Sequence, residues 1–141
     1  MSTPVHPTEG GLVDLDGSRP IWLQLVDDFR LRIVTGTWPI GARIPSVREL
    51  ATQSGVNPNT VQRALGELDR TGLTGTERTA GRFVTTDTAV VDAVRRELAT
   101  GATDAFITAL AAVGMDLPQA AALLQERWEL RLSPADTGES S

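Results

Sequence analysis

The chain has 141 residues, 40% of them hydrophobic, with 13 basic against 18 acidic groups and no cysteine, which suits one ordinary domain or a small domain with an appendage. No run approaches the roughly 20 apolar residues that span a bilayer, and the opening residues lack the basic start and apolar centre of a signal peptide, so a cytoplasmic protein is expected. Disulfides, thiolate catalysis and cysteine-rich zinc sites are excluded, and the single histidine, His6, supplies no imidazole cluster, so no metal or cofactor is implied.

Charge is unevenly placed. Residues 1–28 hold five acids and one arginine, residues 29–82 eight arginines and four acids, and residues 83–141 nine acids and four arginines, giving −4, +4 and −5. A basic middle between acidic flanks fits a protein that offers one surface to a polyanion.

In chain order, residues 1–18 form an expected flexible segment. Over 21–35, Ile21, Leu25, Phe29 and Ile33 recur every four residues, with Trp22, Val26 and Val34 widening the stripe, and Gly36 closes the helix. Asp27 and Asp28 fall on its solvated side. The connector "TGTWPIGARI" follows, with Trp38 and Ile40 as anchors against the core. A second helix starts at Ser46, where Ser46 and Glu49 form a capping box, and ends at Gly55. A third has Asn57 as N-cap and Pro58 at its first position. At 100° per residue, Val61, Ala64, Leu65 and Leu68 cluster around about 350°, whereas Asn59, Gly66, Arg70 and Arg63 fall between about 140° and 200°. One side is core. The other presents an amide, two guanidinium groups and a glycine that admits close approach.

Two short capped helices with a glycine turn between them, preceded by a longer helix, are the helix-turn-helix arrangement, whose second helix enters the DNA major groove. Segments 73–76 and 82–85, with Gly81 in the intervening turn, read as a hairpin packed by Leu73, Phe83 and Val84, with Arg78 and Arg82 near its tip. Such a wing reaches the backbone or minor groove with its arginines, or else pairs them with Glu77. Residues 89–113 form a long helix with Val90, Val91, Val94, Leu98, Phe106 and Leu110 on a wide apolar face and Gly101 inside it. After Gly114, Asp116 and Gln119 form a second capping box, and Ala120, Leu124 and Trp128 line the last helix. The tail 133–141 reads as disordered.

The run "RPIWLQLVDDFRLRIVTGTWPIGARIPSVRELATQSGVNPNTVQRALGEL", followed by "GLTGTERTAGRFV", resembles the DNA-binding domain of the GntR family of bacterial transcription regulators. Trp22 stands at the usual first-helix tyrosine, Leu65 at a second tyrosine, Thr79 at the first wing glycine, and Arg82 where threonine is common. The resemblance implies a phosphate or base contact for Arg48, a groove-reading end formed by Asn57, Asn59, Thr60, Gln62 and Arg63, and a minor-groove approach by Gly81. With Arg43, Ser46, Arg78 and Arg82, these are the candidate DNA-binding residues. The short two-helix tail resembles the YtrA-type subfamily, which implies a homodimer repressing an ABC-type transporter operon that includes its own gene.

The expected fold is therefore mainly α with a small β-hairpin: a winged helix-turn-helix over 19–86 followed by a two-helix dimerisation tail over 87–132. Val91, Val94, Leu98, Phe106, Leu110, Met115, Leu124 and Trp128 are the candidate dimer interface. The expected partners are a double-stranded DNA operator and a second copy of the chain. A crevice around Phe106, Met115 and Trp128 offers a small-molecule effector of unknown chemistry little room, and those side chains are read as dimer core. No acid pair or nucleophile and base pattern supports catalysis. The competing reading is a winged-helix protein-interaction module.

Overall fold

A computed structural model describes Gly17 and residues 19–132. The segments expected to be flexible at 1–18 (Gly17 apart) and disordered at 133–141 lie outside the described residues. The element order is α1 (Ile21–Val34), α2 (Val47–Ser54), α3 (Pro58–Arg70), β1 (Thr74–Glu77), β2 (Gly81–Val84), α4 (Thr88–Ala112) and α5 (Leu117–Leu132). The fold is mainly helical with one antiparallel hairpin, in the winged helix-turn-helix order. Two compact units divide inside α4, after Leu98.

In the first unit α1 packs on α3, and α2 packs on α3. Leu25, Phe29 and Ile33 of α1 meet Leu50 of α2 and Val61, Leu65 and Leu68 of α3 in one core. These side chains are nearly inaccessible to water, and each contributes about 1.5–3 kcal/mol through burial. Helix spacing selects them, since positions three and four apart share a face. Ile21, expected on this stripe, is exposed because it opens the helix. Trp38 anchors the connector, its ring 5.3 Å from that of Phe29. Ile40, the other expected anchor, is 45% exposed in the turn between Pro39 and Gly41. Asp28 is not a solvated residue: it is half buried and ion-paired to Arg32 at 2.8 Å, and burial pushes its carboxyl pKa up despite that partner.

The hairpin register pairs Thr74 with Val84 and Glu77 with Gly81. Residues 42–44 run beside β2: the Ile44 amide donates to the Arg82 carbonyl at 3.0 Å and the Val84 amide to the Ala42 carbonyl at 2.9 Å. The approach to α2 is thereby fixed against the wing. Leu73 and Val84 are buried while Phe83 is half buried.

The N-terminal half of α4 belongs to this unit. Val91 is 1% exposed inside the core, with Val90 and Val94 packed against it. The Arg95 guanidinium donates to the Val34 carbonyl at 2.8 Å, and Arg30 pairs with Glu97 at 2.9 Å. In the second unit the chain turns at Gly114, whose φ of 84° is left-handed. α5 then starts with the expected capping box: the Asp116 amide donates to Gln119 Oε1 and the Gln119 amide to Asp116 Oδ1, both at 3.0 Å. No residue of α5 is buried. No single helix among the described residues is long and apolar enough to cross a membrane.

Candidate nucleic-acid interface

The start of α2 is built by its cap. The Glu49 amide donates to Ser46 Oγ at 3.0 Å, and the Ser46 amide donates to Glu49 Oε1 at 2.8 Å. These bonds hold the Glu49 carboxyl below its usual range, the backbone donor contributing most. Arg48 follows on the exposed surface. The amides at the start of a helix that the cap does not take are ready partners for phosphate.

Gly55 turns the chain in left-handed conformation, φ 71°, which costs glycine little. Asn57 then caps α3, its Oδ1 accepting from the Asn59 amide at 2.7 Å. Asn59, Gln62 and Arg63 are exposed and Thr60 is half buried. Gly66 faces open space, as a close approach to a neighbouring surface requires. The structure thus brings the expected reading residues to one end and one side of α3. Arg70, placed by the sequence on the same exposed side, is engaged by Glu67 through bonds of 2.9 and 2.5 Å, which lower the Glu67 pKa and raise that of Arg70.

At the wing, the expectation for Arg82 is corrected. It lies within β2 opposite Thr76 rather than at the tip, and its side chain is 13% exposed. Its Nε donates to both Asp69 oxygens, at 3.1 and 3.3 Å, and its terminal nitrogen to Asp69 at 2.9 Å. Asp69 also accepts from Thr74 Oγ1 at 2.6 Å. Arg82 therefore ties the wing to the end of α3. Arg78, between the strands, is exposed.

Gly81 has a φ of 111°, and a Cβ there would lie 2.8 Å from Arg43 Nε. The backbone favours glycine there, and a side chain would also have to push the flexible Arg43 guanidinium aside. Arg43, Ser46, Arg78, Gly81 and Arg82 line an open groove of about 530 Å³ between the approach to α2 and the wing.

The eight arginines of residues 29–82 divide cleanly. Arg30, Arg32, Arg70 and Arg82 pair with carboxylates. Among the described residues, Arg43, Arg48, Arg63 and Arg78 form no salt bridge, although the Arg43 charge helps to lower the Glu49 pKa. Within residues 29–82, the arginines outside salt bridges thus lie on α2 and its approach, the exposed side of α3 and the wing tip. Sequence reading missed one contact: the Arg63 guanidinium lies over the Trp22 ring, 4.1 Å from its centroid. The aromatic at position 22 is visible in the sequence, but only the packing of α1 on α3 makes the pair.

Of the residues assigned to a dimer interface, Val91 is excluded by its burial in the first unit's core, and Val94 packs against that same core. Leu98 is half buried. Phe106, Leu110, Met115, Leu124 and Trp128 line an apolar groove of about 570 Å³ in the second unit. Trp128 is 61% exposed.

Residues 23–84 match the model of the bacterial regulatory proteins of the gntR family. The HTH-type transcriptional regulator YhcF of Bacillus subtilis is 36% identical over 98 residues, a match covering 70% of this chain and 81% of that protein. The HTH-type transcriptional repressor YtrA of the same organism is 39% identical over 72 residues, 51% of this chain and 55% of its own length. Among solved structures, a GntR family transcriptional regulator from Listeria monocytogenes aligns with a TM-score of 0.68 and 36% identity, covering 79% of this chain and 98% of that one. With the capped helix pair, the wing and the arginines outside salt bridges, these likenesses establish the chain as a member of the GntR family, a DNA-binding transcription regulator and not an enzyme.

Proposed function

We propose that the chain is a homodimeric repressor that binds a pseudo-palindromic promoter operator and excludes RNA polymerase. The carrying observation is the placement of Arg43, Arg48, Arg63 and Arg78, which form no salt bridge among the described residues, on the approach to α2, its first turn, the exposed side of α3 and the wing tip. In this reading Arg43, Arg48 and Arg78, with the Ser46 turn and Gly81, contact the phosphates. Asn59, Gln62 and Arg63 read base edges, and Asn57 and Thr60 set the entry of α3 into the groove.

Pairing of subunits is supported by the second unit, where Leu117, Leu124 and Trp128 are exposed on helices too few to complete a core. Two copies joined through residues 99–132 would set their α3 helices about 34–36 Å apart, one turn of duplex. The repressor assignment is supported by the similarity to Bacillus subtilis YtrA. An ABC-type transporter operon, including the regulator's own gene, is the target that the resemblance to the YtrA-type subfamily implies.

The test is selection of binding sites from a randomised duplex pool by the full-length protein. The expected result is a pseudo-palindrome whose half-sites are about 10–10.5 base pairs apart centre to centre. Failure to enrich any site would favour a protein-interaction module built on the same fold.

A further inference from the structure

Arg63 occupies the exposed side of α3, and the natural partner for its charge is Glu67, one helical turn further on. That carboxylate is taken by Arg70, whose Nε and terminal nitrogen both bond it. The Arg63 guanidinium instead lies over the Trp22 ring, 4.1 Å from its centroid. Trp22 sits at the start of α1, half buried and packed against the core, so the indole is a fixed platform supplied by a neighbouring helix.

A carboxylate would cancel the charge and occupy the donors, whereas an aromatic face attracts the cation while accepting no conventional N–H bond. No described residue accepts a hydrogen bond from Arg63. We propose that Trp22 is a positioning residue for base recognition: its indole holds the Arg63 guanidinium over α3, charged and with its donors open, so that less side-chain freedom is lost when the fork meets a base edge. This role rests on the operator-reading proposal above and assigns to α1 a part in specificity through a residue that need not touch DNA.

The experiment uses the full chain, the duplex that wild-type protein selects from a randomised pool, and a scrambled duplex of the same composition. Trp22→Leu keeps an apolar body without the π face. It should lower the ratio of selected to scrambled affinity about two- to fivefold and leave scrambled binding unchanged, whereas Trp22→Tyr should retain the ratio. In a cycle with Arg63→Ala, the Trp22→Leu change should cost nothing further. In DNA-free protein, Arg63→Ala should shift the Trp22 indole N–H resonance and leave those of Trp38 and Trp128 in place. An unmoved Trp22 resonance overturns the proposal whatever the stability of Trp22→Leu. So do equal losses on both duplexes, an unchanged ratio in Trp22→Leu, or additive losses in the cycle. A wild-type protein that selects no duplex overturns the operator reading and this role together, while an unchanged ratio in Trp22→Leu overturns this role alone.

Discussion

Arg48 and Arg63 are both unpaired by carboxylate, yet their surroundings assign them different work. Arg48 stands in the first turn of α2 beside the helix-start amides, so Arg48→Ala should weaken selected and random duplexes alike and lower the salt slope by about one. Arg63→Ala should cost about 1–3 kcal/mol on the selected duplex and much less on random DNA, as loss of a base contact does; titrating both variants on both duplexes separates the two. Arg82 shows where the sequence was silent. Its partner Asp69 lies on another element, and spacing along the hairpin contains nothing about it. Arg82→Ala and Asp69→Ala should each destabilise the fold by about 1–3 kcal/mol in chemical denaturation, with the double variant well short of additive, because each removes the same partly exposed bonds. Glu49 adds a pH signature. Its folded pKa lies below the usual 4.5, so its contribution is complete above that value and is lost as pH falls through the lowered one. Melting temperatures of wild type and Glu49→Gln should differ at neutral pH and converge in acid.

Helix starts were legible because their chemistry is local. Ser46 with Glu49, Asn57 with Pro58, and Asp116 with Gln119 each announce a boundary within four residues, and all three caps form. Ser46→Ala should therefore cost about 1 kcal/mol of stability. The strands moved by one residue, and the ribbon of residues 42–44 beside β2 was not foreseen, since "GARI" carries no alternation to mark it. That ribbon gives Gly81 its second constraint: Gly81→Ala must displace Arg43 as well as strain a left-handed backbone, so it should reduce DNA affinity beyond its effect on folding. The long helix was recognisable from its apolar face, but not the division of that face. Val91 reads like its neighbours in sequence and yet is fully enclosed by the first unit. A chain ending at Thr86 should consequently be less stable than one ending at Leu98, by about 1.5–3 kcal/mol for Val91 alone, as denaturant midpoints of the two fragments would show.

The molecule joins a reading head, whose unpaired arginines and capped helices were mostly legible, to a second unit whose exposed apolar residues show only that burial is incomplete. Pairing of two chains through that unit is the proposal that makes a modest half-site contact into an operator complex. Full-length protein should sediment as a dimer at tens of micromolar, and Leu124→Asp with Trp128→Asp should give a monomer whose first unit still melts cooperatively. The central claim is that this surface reads sequence while anchored on phosphates. Its most direct test is equilibrium titration of the full chain with the selected and the random duplex between 50 and 200 mM salt, conditions over which phosphate-anchored binding falls about 10³–10⁵-fold for 6–10 contacts. The predicted result is affinity for the selected duplex at least about 10³-fold above random at each salt concentration, with both falling steeply as salt rises. Equal affinity for the two duplexes, or binding indifferent to salt, would contradict it.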